Sequence, residues 1–279
     1  MAILKKKEKK MKDNEVRKVV RKSYAKTAQR TSCCGPQPAQ QSSCCSDAKS
    51  KSMGYDEQDL GSVPEGANLG LGCGNPVAIA SLKPGDAVLD LGAGAGFDCF
   101  LAAKKVGPDG RVIGVDMTPE MIDKARENAE KGHFSNVEFR LGEIEHLPVA
   151  DNTVDVIISN CVINLAPNKL EVMKEAYRVL KPGGRIAISD LALRGELPEK
   201  IKENMVAYVS CVAGAIHIDD YKSAVRSAGF KNVEFKINQA ASCGEPQDDE
   251  AARNALKLTT DEFKTLSDVV VSVYIEARK

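Results

Sequence analysis

Two groups of residues in this sequence have types and spacings that could do chemistry. The first is a loop in which Asp90 precedes glycines at positions 92, 94 and 96. A glycine loop that follows a buried strand lets a ligand approach bare backbone. The second is a set of nine cysteines. Cysteine thiolates bind soft ions and exchange disulfides, so the two groups together predict a small-molecule site with sulfur chemistry.

The spacing of the loop argues against a dinucleotide. A dinucleotide loop has the pattern G-x-G-x-x-G, which places pyrophosphate at a helix N-terminus. Here the pattern is D-x-G-x-G-x-G over residues 90–96, with a carboxylate before the loop and no lysine near it. Asp116 ends the next apolar run, about 20 residues on, where an acidic side chain pairs with ribose hydroxyls. We therefore expect a nucleoside cofactor without phosphate and with a cationic end.

The elements that position these residues alternate between strands and helices. Apolar runs begin at Ala87, Arg111, Asn136, Val154, Arg185, Asn232 and Val269, and a helix is predicted over about 168–180. The run at 154–159 is nearly continuous, as expected for a parallel sheet covered on both faces. The pattern predicts an α/β fold with a seven-stranded, doubly wound, Rossmann-like sheet. A Cys-rich N-terminal extension and a smaller C-terminal α+β part complete it.

The N-terminal segment has a different composition from the rest of the chain. Residues 1–30 hold 12 Lys/Arg against 3 Asp/Glu, whereas the remainder holds 27 against 36. We expect a solvated basic arm with a short helix over 13–30, whose apolar side is Val16, Val19, Val20 and Tyr24. No second basic patch or aromatic platform accompanies it, which argues against nucleic-acid binding. Residues 31–52 are rich in Gly, Pro, Gln and Ser and predict a mobile linker.

We accordingly predict three regions: an arm and linker over 1–60, a cofactor-binding core over 61–195, and a substrate-site and sheet-completing region over 196–279. No apolar run is long enough to cross a bilayer, and no hydrophobic leader follows the N-terminal lysines. We expect a soluble, cytoplasmic protein. In a reducing compartment a disulfide scaffold is disfavoured, so the cysteines are better explained by chemistry or by a soft ligand.

Three cysteines lie where the strand ends meet. Cys73 stands between two glycines, Cys161 follows the fourth strand, and Cys211 lies in a stretch of small residues. Flanking glycines are expected to expose the Cys73 sulfur. For each cysteine alone, burial as a small apolar residue explains the position equally well. The vicinal pairs Cys33-Cys34 and Cys44-Cys45 are too close for an unstrained internal bridge, and their spacing is a poor match to a zinc site.

Four motifs in order resemble those of the class I S-adenosylmethionine-dependent methyltransferases. They are the loop at 90–96, VIGVDM, GEIEHLP and LKPGGRIAISD, and the resemblance covers about residues 80–190 with the late strands. It implies S-adenosyl-L-methionine as cofactor. The implied cofactor-binding residues are Asp90, Gly92, Gly94, Gly96, Asp116, Met117, Glu143, Ile144 and Asn160, with Asn160 and Cys161 facing the methyl group and its acceptor.

A narrower resemblance, over about residues 53–230, is to the arsenite methyltransferases of bacteria and archaea. The segments LGCGNP, GAGAGFDCFLA, VIISNCVINL and the stretch around Cys211 carry it. It implies that As(III) is held by three thiolates, those of Cys73, Cys161 and Cys211. It also implies a further N-terminal cysteine that forms a disulfide during the cycle. Cys44 or Cys45 would be that partner, and Cys33 or Cys34 remains open. Cys99, Cys243 and the histidines at 133, 146 and 217 receive no role.

The resemblance implies methylation of arsenite for detoxification. The expected partners are arsenite, free or bound by glutathione or a dithiol, and thioredoxin or another dithiol reductant. Two other hypotheses differ from it. One is a methyltransferase for a small organic acceptor of the quinone or sterol type, which needs no cysteine triad. The other is a non-catalytic, thiol-rich metalloid-binding protein, against which the intact loop at 90–96 argues.

Overall fold

The computed structural model describes residues 13–29, 42–202, 204–209, 211–237, 253–254 and 256–279. Cys33, Cys34 and Cys243 lie outside these residues. The backbone of Cys44 and Cys45 is described, but their side chains are not. Among the described helices, none is both long and apolar enough to cross a membrane.

A single seven-stranded sheet forms the centre of the molecule, with strand order β3-β2-β1-β4-β5-β7-β6. The strands are β1 (Ala87–Leu91), β2 (Arg111–Asp116), β3 (Val137–Leu141), β4 (Val154–Asn160), β5 (Leu180–Leu193), β6 (Lys231–Ile237) and β7 (Val270–Arg278). The first five run parallel, and β7 is antiparallel to both β5 and β6. The predicted fold class is confirmed.

Helices cover both faces of the sheet. They are α1 (Asp13–Gln29), α2 (Ser42–Ser52), α3 (Glu57–Gly61), α4 (Pro76–Ile79), α5 (Phe97–Val106), α6 (Pro119–Lys131), α7 (Lys169–Val179), α8 (Glu199–Lys202), α9 (Met205–Val209), α10 (Ile218–Ser227) and α11 (Thr260–Val269). A 3₁₀ turn spans Ile163–Leu165. Alternate residues of the strands enter opposite cores: Leu89 and Leu91 pack in one, and Val88 in the other. Because both faces of β1 are buried, consecutive residues of the strand, Ala87–Leu89, are apolar.

The direction in which the chain adds strands reverses between β1 and β4. Strands β2 and β3 lie on one side of β1, whereas β5, β7 and β6 lie on the far side of β4. In such sheets the ligand crevice lies beyond the carboxyl ends of the strands at this point. Asp90 near the end of β1 and Asn160 at the end of β4 are therefore placed at the same edge. The topology brings the glycine loop and Cys161 together.

The N-terminal segment differs from the expected solvated arm. Helix α1 buries Val16 and Val20, and it contacts α6 and α9. Val19 is 37% exposed, so the packed stripe runs through Val16, Val20 and Tyr24 at four-residue spacing. The lysines of α1, Lys18, Lys22 and Lys26, are exposed, which explains why net charge alone suggested a solvated segment.

Part of the predicted linker is also helical, since Ser42–Ser52 forms α2. The Ser50 hydroxyl donates to Asn68 Oδ1 at 2.9 Å, and Asn68 Nδ2 donates to Asp47 at 3.0 Å. These hydrogen bonds join segments about 20 residues apart. The local composition of residues 31–52 therefore does not predict them. Strand β5 likewise begins at Leu180, so the predicted Lys-Pro-Gly-Gly turn lies within it. The division into regions at residues 60 and 195 stays a prediction.

Candidate active site

The glycine loop turns the chain back from β1 into α5. Gly92, Gly94 and Gly96 all have positive φ values, of 72°, 52° and 94°. A side chain on Gly92 would collide with Val162, and one on Gly96 with Phe100 and Phe139. A side chain on Gly94 would meet no heavy atom within 4 Å. Two glycines thus allow close packing, while Gly94 presents bare backbone to the cavity.

Asp116 fixes the position of this loop. Its carboxylate accepts hydrogen bonds from the backbone N–H groups of Gly94, at 3.0 Å, and Thr118, at 2.8 Å. Burial raises its pKa from the usual value, and these hydrogen bonds oppose the rise. The residue predicted to hold the ribose therefore lines the cavity as a carboxylate already oriented by the backbone.

A cavity extends from the glycine loop to Cys161. The predicted cofactor residues on its wall are Asp90, Gly92, Gly94, Asp116, Met117, Ile144 and Asn160, and Cys161 lines it too. Gly96 does not line the cavity; it packs against Phe100 and Phe139. The Glu143 carboxylate instead lies against Arg17 Nε, at 3.3 Å, and Arg21 Nη2, at 3.4 Å, while Glu145 lines the cavity.

Two buried carboxylates form the floor of the cavity, and the sequence reasoning identified only one. Asp98, in the first turn of α5, lines the cavity with Asp90. Burial raises the pKa of Asp98 to about 6, and burial together with the Asp98 charge raises that of Asp90. Cys99 donates to Asp90 at 3.2 Å, so this cysteine supports the cofactor site. The sequence does contain a signal for Asp98, because it is an acidic residue within the otherwise apolar stretch Phe97–Phe100.

Asn160 joins this floor to the cysteines. Its Nδ2 donates to Asp98 at 3.0 Å and to Tyr55 Oη at 2.9 Å, and the Tyr55 hydroxyl donates to Asp98 at 2.6 Å. Its Oδ1 accepts from the backbone N–H of Cys73 at 3.0 Å. The sequence reasoning did not foresee Tyr55, which is 43 residues from Asp98 in the chain.

The three cysteines singled out above belong to one buried cluster at the carboxyl ends of the strands. The Cys211 thiol donates to the backbone carbonyl of Cys161 at 3.1 Å. The pKa of the Cys161 thiol is raised, first by hydrogen bonding to Cys211 and to Cys73 and then by burial. Cys161 thus contacts both other cysteines, through its sulfur, which lies within 4.8 Å of the Cys73 sulfur, and through its carbonyl, which accepts the Cys211 thiol.

The backbone at two of these cysteines adopts an unusual conformation. Cys161 has φ 58° and Cys211 has φ 68°, in the left-handed region that residues other than glycine rarely adopt. Hydrogen bonds hold both residues: the Cys161 N–H donates to the Ser189 carbonyl at 2.8 Å, and Asn164 Nδ2 donates to the Cys211 carbonyl at 2.8 Å. Strain of this kind concentrates at functional sites, where the surrounding structure maintains it.

The glycines beside Cys73 have a different role from the expected one. A side chain on Gly72 would collide with the Asn160 amide, and one on Gly74 with the Ser189 hydroxyl. They let the Cys73 loop pack tightly onto β4 and β5, and Cys73 is only 8% exposed. The expectation of an exposed sulfur is therefore wrong, because the freed space is filled by the sheet.

Helix α1 closes one side of the site. Arg17 Nη2 donates to Glu145 Oε1 at 2.8 Å, and Arg17 and Tyr24 both line the cavity. Tyr24 Oη lies 3.9 Å from the Cys211 sulfur. The helix thus contacts both the cofactor end and the cysteine end of the cavity.

Comparison with known proteins identifies the family. A family model described as "Methyltransferase domain" matches residues 82–229. The arsenite methyltransferase of Halobacterium salinarum is 50% identical over 273 residues, which are 95% of this chain and 67% of that protein. This chain belongs to the arsenite methyltransferase family. As a member of this family it is a methyltransferase with S-adenosyl-L-methionine as cofactor.

Two further comparisons point to the same family. The arsenite methyltransferase of Aquipseudomonas alcaligenes is 41% identical over 64% of this chain, but the matched region is only about half, 53%, of that protein. The solved structure of an arsenic(III) S-adenosylmethionine methyltransferase from Chlamydomonas reinhardtii superposes with a TM-score of 0.57 at 33% identity. The match covers 83% of this chain and 72% of that one.

The residues present fit this cofactor. Asp90 and Asp98 form no ion pair with a basic side chain in the described part of the chain, so both can receive a cationic group. The open space at Gly94 admits a ligand against the backbone. Asp116 is oriented as a hydroxyl acceptor. These residues would hold the amino-acid end and the ribose, respectively.

Proposed function

We propose that this protein transfers a methyl group from S-adenosylmethionine to arsenite bound by Cys73, Cys161 and Cys211. The observation that carries the proposal is the position of Cys161: it lines the cofactor cavity, its sulfur lies within 4.8 Å of the Cys73 sulfur, and its carbonyl accepts the Cys211 thiol. A substrate held at Cys161 therefore lies beside the cofactor. The activity named for the family relatives supports the same substrate.

The donor set suits trivalent arsenic. Arsenic in this state is soft and prefers thiolates to imidazole or carboxylate ligands. Binding of trihydroxyarsenic to three thiols forms three As–S bonds, and the thiol protons leave with the hydroxides as water. The raised pKa of the Cys161 thiol keeps its proton available for this exchange.

Three sulfurs in a pyramid leave one arsenic lone pair unshared, and this pair is the nucleophile. When bound, S-adenosylmethionine supplies an electrophilic methyl group. The arsenic lone pair has no proton to lose, so no general base is needed. Alignment by the cysteines and Asn160 is the main contribution of the protein, and proximity effects of this kind reach roughly 7–11 kcal/mol.

Formation of the As–C bond oxidises arsenic to the pentavalent state. As(III) is restored when the thiolate of a further cysteine attacks the sulfur of an arsenic-bound cysteine: a disulfide forms, the As–S bond breaks, and its electron pair stays on arsenic. An external dithiol such as thioredoxin then reopens the disulfide by exchange. We propose Cys45 or Cys44 as the redox partner of Cys73. In support, α2 is bonded to Asn68, five residues before Cys73. Detoxification of arsenic is the physiological role that follows.

The test is an assay of purified protein with arsenite, cofactor and a dithiol reductant, with methylated arsenic separated and quantified. The parent should form methylated arsenic, and Cys161→Ser should lose at least 99% of the rate. Absence of methylated arsenic from the parent reaction would refute the proposed function. Turnover of an organic acceptor by Cys161→Ser at the parent rate would favour the small-molecule alternative.

A further inference from the structure

Asp190 lies beside two of the cysteines, and the proposed arsenic chemistry does not use it. One of its carboxylate oxygens and the sulfur atoms of Cys73 and Cys161 all lie within 4.8 Å of one another. Cys211 does not belong to this group. Two sulfurs and one oxygen therefore already lie within 4.8 Å of one another, whereas the three sulfurs of the proposed arsenic site do not all lie that close together.

The carboxylate is held in place from behind. Asp190 Oδ2 accepts from the Tyr221 hydroxyl at 2.9 Å and from the Asn164 N–H at 3.1 Å. Within the described residues, Oδ1 accepts one hydrogen bond, from the Leu191 N–H at 2.9 Å, and so keeps a lone pair. Asp190 and Tyr221 are both 0% exposed. Metal-ligating carboxylates typically have such supporting hydrogen bonds, which fix their direction.

The sulfur and oxygen set suits a different ion from arsenic. Zn²⁺ takes sulfur at about 2.3 Å and carboxylate oxygen at about 2.0–2.2 Å in a tetrahedron, so its ligand atoms lie roughly 3.5–3.8 Å apart. Closing from 4.8 Å requires movements of about 1 Å or less, which cysteine rotation can supply. Arsenic(III) gains little from a carboxylate, whereas zinc and cobalt accept mixed sulfur and oxygen ligands.

We propose that Cys73, Cys161 and Asp190 bind a divalent cation of the zinc type, which excludes arsenite by occupying two of its three sulfurs. Binding forms two metal–sulfur bonds and one metal–oxygen bond. It releases the two thiol protons to solvent, and a water completes the tetrahedron. The ion enters through the cofactor cavity, whose wall includes Cys161. The exclusion of arsenite rests on the proposed function, but the metal site itself does not.

The experiment uses the full chain with Cys33, Cys34, Cys44, Cys45 and Cys243 changed to Ser, reduced and kept free of oxygen. Co²⁺ is the probe, since its sulfur charge-transfer and tetrahedral ligand-field absorption report the ligand set. In this background we expect one Co²⁺ per chain, displaced by Zn²⁺. Cys161→Ser should abolish the bands, and Asp190→Asn should weaken Co²⁺ binding at least tenfold. Cys211→Ser should bind Co²⁺ within threefold of the background.

X-ray absorption of the Zn²⁺-loaded background gives a readout that needs no variant at Asp190. Two sulfurs and two lighter ligands are expected, and three sulfurs would overturn the proposal. Equal Co²⁺ affinity of Asp190→Asn and the background would also overturn it, once binding of S-adenosylhomocysteine shows that the variant is folded. The spectra test the metal site independently of whether the parent methylates arsenite. Conversely, arsenite turnover without Co²⁺ bands would refute the metal site alone.

Discussion

The side-chain oxygen of Asn160 accepts a hydrogen bond from the backbone N–H of Cys73 at 3.0 Å, while its nitrogen donates to Asp98 at the same distance. One amide therefore connects the first cysteine loop to the floor of the cofactor cavity. Because Cys161 is the next residue, a change at Asn160 affects both halves of the proposed site.

Replacement of Asn160 by Ala removes both connections. A buried hydrogen bond to a charged group contributes about 1.5–3 kcal/mol, so we expect stability to fall by a similar amount and arsenite turnover by at least roughly tenfold. Asn136→Ala is the matched control, since Asn136 bonds to the Ala103 and Gly107 carbonyls away from the cavity. It should lose stability and keep its turnover per folded molecule. Equal loss of turnover in both variants would mean that Asn160 only stabilises the fold.

Gly94 and Gly85 form a second matched pair. Both have positive φ, and a side chain on either would meet no heavy atom within 4 Å. Alanine at each should cost about 1–2 kcal/mol of backbone strain. Only Gly94→Ala places a methyl group in the cavity, so only it should weaken S-adenosylhomocysteine binding, by more than tenfold in calorimetry. Equal affinity of the two variants would contradict the assignment of the loop as the cofactor site.

Helix α1 should contribute to cofactor affinity through Arg17, which pairs with Glu145 at 2.8 Å and is only 17% exposed. In Arg17→Ala we expect the KM for S-adenosylmethionine to rise roughly tenfold, with faster proteolysis within residues 13–29. Lys174→Ala breaks an exposed pair with Glu171 and should change neither quantity. An unchanged KM with faster proteolysis would show that α1 docking does not support the cofactor.

Cofactor affinity should depend on pH through Asp98. Burial raises its pKa to about 6, so the carboxyl is neutral below that pH and ionised above it; the pKa of the neighbouring Asp90 is raised as well. A cationic ligand prefers the ionised form, and S-adenosylmethionine binding should therefore tighten as pH rises from about 5 to 7. Asp98→Asn should reduce this slope. Parallel pH profiles for the two proteins would contradict the role of Asp98.

The raised pKa of Asp98 should strengthen cofactor binding as pH rises but lower the stability of the free protein. The folded state retains a proton on Asp98 that the unfolded chain releases near pH 4, so the free energy of unfolding falls as pH rises from about 4 to 6. Thermal unfolding across this range measures the effect, and Asp98→Asn should flatten it. A steeper fall in Asp98→Asn than in the parent would assign the titration to another group.

The sequence predicted those parts of the fold and site that depend on local patterns. Buried parallel strands are continuous apolar runs, and Asp90 and Asp116 were found because strand ends and glycine turns are local signals. Asp190 also follows an apolar strand run, Arg185–Ser189, and the same reasoning would have found it. Its partners could not have been found, since Tyr221 and Asn164 approach it only in the folded sheet.

The N-terminal segment shows the opposite limit. Net charge predicted a solvated arm, but three residues of one helix face, Val16, Val20 and Tyr24, pack against the cysteine cluster. Arg17 pairs with a carboxylate 128 residues away. Composition alone does not distinguish a basic helix in solvent from one that packs against acidic residues such as Glu143 and Glu145. The difference depends on residues that are far away in the sequence.

The central claim is that arsenite is methylated while bound to Cys161. The most direct test is a single turnover without reductant, in which purified enzyme, arsenite and S-adenosylmethionine are mixed and both products are quantified. The parent should yield methylated arsenic and S-adenosylhomocysteine in equal amounts, up to one per chain. Cys243→Ser should match the parent, and Cys161→Ser should yield less than about 1% of it. Product from Cys161→Ser within threefold of the parent would contradict the account.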